Sequence, residues 1–169
     1  MSQQAISEGV KIKDISREPR VSSRNAPRKI THTIALVPLN YIGTLWIDIE
    51  TFLGPAIARS RNRWDIESVR ESLLNEERHL WVAFDKNKKI DGIATTEFVM
   101  YPRRKMLSVE YLGGKNMNSW GWDMLARFND WAKDNKCDGI EAMARHGFWK
   151  WLEQDGFERS YTIYEREVV

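Results

Sequence analysis

A chain of 169 residues in which 42% of side chains are apolar, with eight Trp, six Phe and five Tyr, has area for one buried core and too little length for two. The lone cysteine, Cys137, excludes an internal disulfide, and no apolar run approaches the ~20 residues of a membrane span. The net charge of +2 hides an asymmetry: residues 1–30 carry seven Lys/Arg against three Asp/Glu, and the remainder nineteen against twenty-one.

Every Trp, Tyr and Phe lies after position 40. Residues 1–30 therefore have no anchor for a core, and Pro19 and Pro27 stand among their charges, so the reading is a disordered basic tail before a domain over 31–169. Such an arm could neutralise phosphates, which makes nucleic acid a weak candidate partner. No apolar h-region follows the N-terminal charges, so no secretory leader is read and the expected location is the cytoplasm.

Thr33 to Val37 reads as a strand ending at Pro38. Ile42, Leu45, Trp46, Ile49, Phe52 and Leu53 then recur at helical spacing, and Gly54-Pro55 is expected to break that helix, with a short second segment opening at Pro55. Asp65 is placed as the cap of a helix that turns Ile66, Val69, Leu73 and Leu74 to one side. The run HLWVAF at 79–84, a polar turn at 85–89 and a strand from Ile90 to Tyr101 form a hairpin. Pro102-Arg103-Arg104 turns the chain into a third strand, Met106 to Leu112, which completes an antiparallel meander stopped by Gly113-Gly114.

From Asn118 to Asn135, the residues Trp120, Met124, Leu125, Phe128, Trp131 and Ala132 fall within about 140° of arc, an amphipathic helix with a core face. A strand from Gly139 to Ala144, a short helix from Phe148 to Gln154 and a final strand from Phe157 to Val168 close the chain, with Trp151 and Phe157 at core positions. The fold class is α/β (α+β): a mixed central sheet containing an antiparallel meander, flanked by helices.

A meander feeding a central helix, then strand, short helix and strand, resembles the order of elements in the GNAT (Gcn5-related N-acetyltransferase) superfamily. The residues that carry the resemblance are Leu107 to Leu112, the helix from Asn118, and FWKWLEQDGFE at 148–158, which is similar to the family segment ending in Gly-Phe. The pattern YLGG … W … CDGIEA … R … GF also resembles the GNAT-like proteins of tailed bacteriophages, some of which are internal virion or assembly components. The resemblance implies acetyl-CoA as cofactor and an amine as acceptor if the protein is an enzyme. A non-catalytic virion or assembly protein is the alternative.

In the family, an R/Q-x-x-G-x-G/A loop aims backbone amides at the cofactor pyrophosphate from the N-terminus of the central helix. Here that loop reads Asn116-Met117-Asn118-Ser119-Trp120-Gly121, in which only Gly121 matches. The resemblance therefore implies a cofactor site at Tyr111, Leu112 and Gly113 on the strand end and at Asn116, Ser119, Trp120, Gly121 and Trp122 on the loop and helix. Trp120 belongs by its spacing to the core face, and Trp122 lies outside the apolar arc, where it would either stack on a ligand or cover the core rim.

The family's thiolate-protonating tyrosine is replaced by Leu152. Glu110 is the catalytic candidate by position, a general base for the amine or else a strand residue facing solvent, with Glu97 and Glu141 as lesser candidates. Arg145 and His146 follow the strand at 139–144, where open α/β folds bind ligands, and are candidate substrate contacts. His32 and His79 have no Cys or carboxylate at ligand spacing, so no metal site is inferred, and Cys137 is read as a small buried residue.

Overall fold

The computed structural model describes residues 29–169, and the reading of a disordered basic tail falls almost wholly outside them. The described residues form two compact units, Lys29–Arg145 and His146–Val169.

The first unit is a five-stranded sheet in sequential order: β1 Thr33–Leu36, β2 His79–Phe84, β3 Ile90–Tyr101, β4 Arg104–Gly114 and β5 Gly139–Ala142. β1 to β4 run antiparallel to their neighbours, and β5 is parallel to β4. A parallel neighbour needs a crossover, and helix α3, Met117–Asp134, supplies it. Helices α1, Trp46–Ile57, and α2, Ile66–Leu74, lie between β1 and β2 in the chain.

Alternation in β2 separates two layers. Leu80 and Val82 join Ile49, Leu53, Ile57, Val69 and Leu73 in one core cluster. The intervening residues turn to α3, where the Trp81 ring meets Phe128 and Trp131 edge-on at 5.4 and 5.6 Å. Trp120, Met124, Leu125, Phe128 and Ala132 of α3 are buried on the face that their spacing predicts. Asp65 caps α2 by accepting from the Ser68 amide at 2.7 Å, also as read from the sequence.

Gly54-Pro55 does not break α1, which runs on to Ile57. A proline crowds the Cβ of the residue before it, and Gly54 has none, while Leu53 and Ile57 on either side are held in the core. The chain before β1 is tied down by a residue the sequence did not single out: Asp123 of α3 accepts from the Thr31 and His32 amides, each at 3.0 Å. His32 Nε2 lies 3.0 Å from Asp91 Oδ2, and Thr31 Oγ1 donates to the Ser119 carbonyl at 2.6 Å.

The second unit holds a 3-10 turn, His146–Phe148, and helix α4, Trp149–Gln154. Gly156, in the left-handed region at φ 84°, turns the chain after it, and the Phe157 amide returns to the Leu152 carbonyl at 3.1 Å. The expected final strand from Phe157 to Val168 is not formed: the segment has no ladder partner among the described residues, and an extended segment becomes a strand only by pairing. Trp151 and Phe157 are half-buried and not core residues as expected.

Candidate active site

β4 parts from β5 along its length. The two strands pair from Met106 with Gly139 to Val109 with Ala142, and beyond Val109 the residues Glu110 to Gly114 have no strand on that side among the described residues. The parting leaves one edge of β4 with backbone donors and acceptors open to a ligand.

At the point of parting, β4 carries a bulge. Thr95 pairs with Tyr111 and Thr96 with Val109, so Glu110 is the extra residue that no β3 residue opposes. A bulge breaks strict alternation, so Glu110 and Tyr111 both serve the face covered by α1 and α2. The expectation of Glu110 as a plain alternating strand residue gives way to this geometry. Its carboxylate is half-buried and accepts a short hydrogen bond from Arg78 Nε.

Arg78 went unremarked in the sequence, although it stands in phase with Leu80 and Val82 on the inward side of β2. It is only 5% exposed. Its Nη1 donates to Ser72 Oγ at 2.8 Å, its guanidinium carbon sits 4.0 Å from the centre of the Trp64 ring, and its Nη2 is 3.7 Å from Glu97 Oε2. Glu97 pairs with Ser108 across β3 and β4, and Ser108 with Glu141 across β4 and β5, so one row of the sheet face carries Glu97, Ser108 and Glu141 beside the bulged Glu110. The Tyr101 hydroxyl donates to Glu141 Oε1 at 3.1 Å.

Burial pushes the Glu97 carboxyl up to about 7, and the charge of Glu110 adds to the shift while Arg78 opposes it. Burial, then the Glu110 charge, also raises the Tyr111 phenol, which therefore keeps its proton near neutrality. Arg78 is raised by its two carboxylate partners against the opposing effect of burial. Two carboxylates around one guanidinium, one of them titrating near neutrality, can accept a proton from an ammonium group.

The residues of the expected cofactor loop divide. Asn116 stands in the left-handed region at φ 52° before α3, and its carbonyl accepts from both the Ser119 amide, at 2.8 Å, and the Ser119 hydroxyl, at 2.7 Å. Ser119 thus spends its donors within the turn, and the amides at the opening of the helix with no carbonyl behind them are those of Met117 and Asn118. Trp120 is fully buried and donates Nε1 to the Lys115 carbonyl at 2.7 Å, so its ring belongs to the core, as its spacing implied. Gly121 is buried a full turn into the helix, and Trp122 is half-buried.

Gly113 serves packing: a Cβ there would drive into the Phe52 carbonyl of α1. Tyr111 and Leu112 are half-buried on the open stretch of β4. Arg145 is exposed just past β5, and His146 is exposed at the start of the second unit. Burial raises the half-buried Cys137 thiol and keeps it protonated, which suits a packing residue better than a nucleophile.

No family model matches the sequence. No curated protein matches it. Solved structures do match its fold. A Pyrococcus furiosus protein named as an acetyl transferase aligns at a TM-score of 0.62 and 19% identity, covering 81% of this chain and 99% of that one. An aminoglycoside acetyltransferase from an uncultured soil metagenomic sample aligns at 0.58 and 16%, covering 82% and 97%. A transcriptional regulator from Bacillus halodurans aligns at 0.60 and 16%, covering 81% and 99%. The chain has the GNAT fold, a five-stranded mixed sheet flanked by helices, in common with these acetyltransferases.

Proposed function

We propose that this protein is an acetyl-CoA-dependent N-acetyltransferase acting on an amine. The observation that carries the reading is the parting of β4 from β5 after Val109, directly beside the bulged Glu110. The open β4 edge from Tyr111 to Gly113 offers backbone groups to the amides of a pantetheine arm, and the Met117 and Asn118 amides, at the positive end of an 18-residue helix, suit its phosphates. These features fit the cofactor although the loop lacks the family's arginine and first glycine.

Acetyl-CoA supplies an activated thioester, and direct transfer needs no covalent enzyme intermediate. The Glu97–Glu110 pair takes one proton from the ammonium, and the freed lone pair forms the N–C bond as the C–S bond breaks. The electron pair leaves with sulfur, which takes the remaining excess proton and departs as the thiol. The same face, with Glu141 in its row, favours a cationic acceptor, and the metagenomic acetyltransferase has also been solved in complex with sisomicin. Arg145 is a further candidate contact for the acceptor.

Calorimetric titration with acetyl-CoA tests the reading through Asn118→Asp. This change places a negative charge where the helix dipole welcomes one, so the fold is not weakened, yet it repels a pyrophosphate. Wild type should bind and the variant should bind at least several-fold more weakly. No heat from wild type at millimolar acetyl-CoA would exclude the enzyme and favour a non-catalytic GNAT-fold protein, such as a phage virion or assembly component.

A further inference from the structure

We infer that Arg78 is a positioning residue for proton transfer: pinned by Ser72 and Trp64, it claims the carboxylate of Glu110 as its ion partner and leaves Glu97 to take the proton from the incoming ammonium. This assignment rests on the acetyltransferase reading and divides the work of a carboxylate pair that this reading leaves undivided.

The geometry of Arg78 is the reason. The guanidinium is fixed from three directions, by Ser72 Oγ at 2.8 Å, by the Trp64 face at 4.0 Å and by Glu110 at Nε, so it cannot swing freely between the two carboxylates. Its bond to Glu110 is direct and charge-assisted, whereas its nearest approach to Glu97 is 3.7 Å, beyond hydrogen-bonding distance. A carboxylate held by an arginine is a poor base, since protonation must give up the ion pair. Glu97 has only the longer 3.7 Å contact with the guanidinium to give up, and its side chain is the more exposed of the two, at 30% against 20%.

The groups facing Glu97 are Arg78 before β2, Glu110 on β4 and Glu141 on β5. Burial has the largest effect, and the two carboxylates, Glu110 before Glu141, add to it against Arg78, which is the environment that brings a glutamate near neutrality. A proton arriving on Glu97 also relieves its repulsion from the neighbouring Glu110.

The test combines two readouts on the full chain. Carbon-13 titration of labelled glutamate carboxyls, without cofactor, follows Glu97 directly. Release of thiol from acetyl-CoA with spermidine as acceptor, across pH 5 to 9, follows the reaction. Glu97→Gln should lower kcat about a hundredfold or more at every pH, the usual scale of a lost general base. Glu110→Gln should lower the rate less and move both the Glu97 titration and the acid limb of the rate profile to lower pH, because a like charge is gone. Arg78→Lys keeps a charge but loses the fixed fork, and it should move the acid limb upward, which a purely structural role for Arg78 would not do.

A hundredfold loss in Glu110→Gln with a near-wild-type rate in Glu97→Gln overturns the assignment, as does an acid limb that stays in place in Arg78→Lys. Calorimetry separates the two levels. Absence of acetyl-CoA binding in wild type removes the acetyltransferase reading and this assignment together. Intact binding with the wrong ranking of the glutamate variants removes the assignment alone.

Discussion

Gly92→Ala should destabilise the protein through Trp120. A Cβ on Gly92 would stand 2.7 Å from Trp120 Cδ2 and closer still to Cε2 and Cζ2, against the 3.4 Å or more of ordinary contact. Trp120 is fully buried and tied to the Lys115 carbonyl, so the ring has nowhere to retreat. Overpacking of this kind costs about 1–3 kcal/mol, and the smaller entropy of an unfolded chain with Ala in place of Gly returns roughly 0.4–1 kcal/mol. The net loss should be about 1–2 kcal/mol.

Trp120→Ala alone should cost about 3–5 kcal/mol by leaving a cavity. In that background the space beside Gly92 is empty, so adding Gly92→Ala should cost nothing or recover a few tenths of a kcal/mol. The coupling between the two changes is then on the order of 1–2 kcal/mol, well above the scatter of independent sites. Urea unfolding followed by far-ultraviolet circular dichroism measures all four corners without relying on Trp fluorescence. Additive losses in the double variant, or an unchanged midpoint in Gly92→Ala, would refute the placement of the ring.

Gly113→Ala should cost about 1–3 kcal/mol by pressing on the Phe52 carbonyl, and a thermal midpoint equal to wild type would count against the close approach of α1 to β4. Burial raises the folded Glu97 carboxyl to about 7, above its ordinary value of 4.5, so the folded state binds the extra proton in that window and stability should fall as pH rises from about 4.5 to 7. Glu97→Gln should flatten that fall in urea titrations at fixed pH steps; an equal slope in both proteins would contradict it. The Asp65 carboxylate is held below its ordinary value of 3.8, first by the Ser68 amide, so its capping contribution is present above that pH and lost as pH falls through the lowered value. Asp65→Ala should fray α2 near neutrality, read as faster hydrogen exchange at Ser68, with no added effect once the pH is low enough to protonate the cap.

Local patterns were sufficient for most of the fold. The hairpin HLWVAF, the long strand after it, the Asp65 cap and the core face of the helix bearing Trp120 each follow from alternation, a 3.6-residue period or a side chain that can satisfy an amide, and each reads directly from neighbouring letters. Glu110 could be picked out as a candidate because it lies on the third strand of the meander. Gly54-Pro55 misled because its effect on a helix depends on whether the flanking apolar residues are held in a core, and Leu53 and Ile57 are. The final strand misled for the converse reason: a segment can have strand-forming letters and still not pair, and pairing with a neighbour is what makes a strand.

Tertiary structure alone decided the chemistry of the candidate site. The bulge at Glu110 exists only in the register between β3 and β4, and the parting of β4 from β5 only in where their pairing stops. Arg78 is an ordinary charge in the sequence, and it becomes the centre of an ion network because Glu110, 32 positions away on β4, presents a carboxylate at its guanidinium. Periodicity records which face a residue serves, but the distance between two charges on different strands depends on register, twist and the helices that pack above them, and these are set by the whole chain at once.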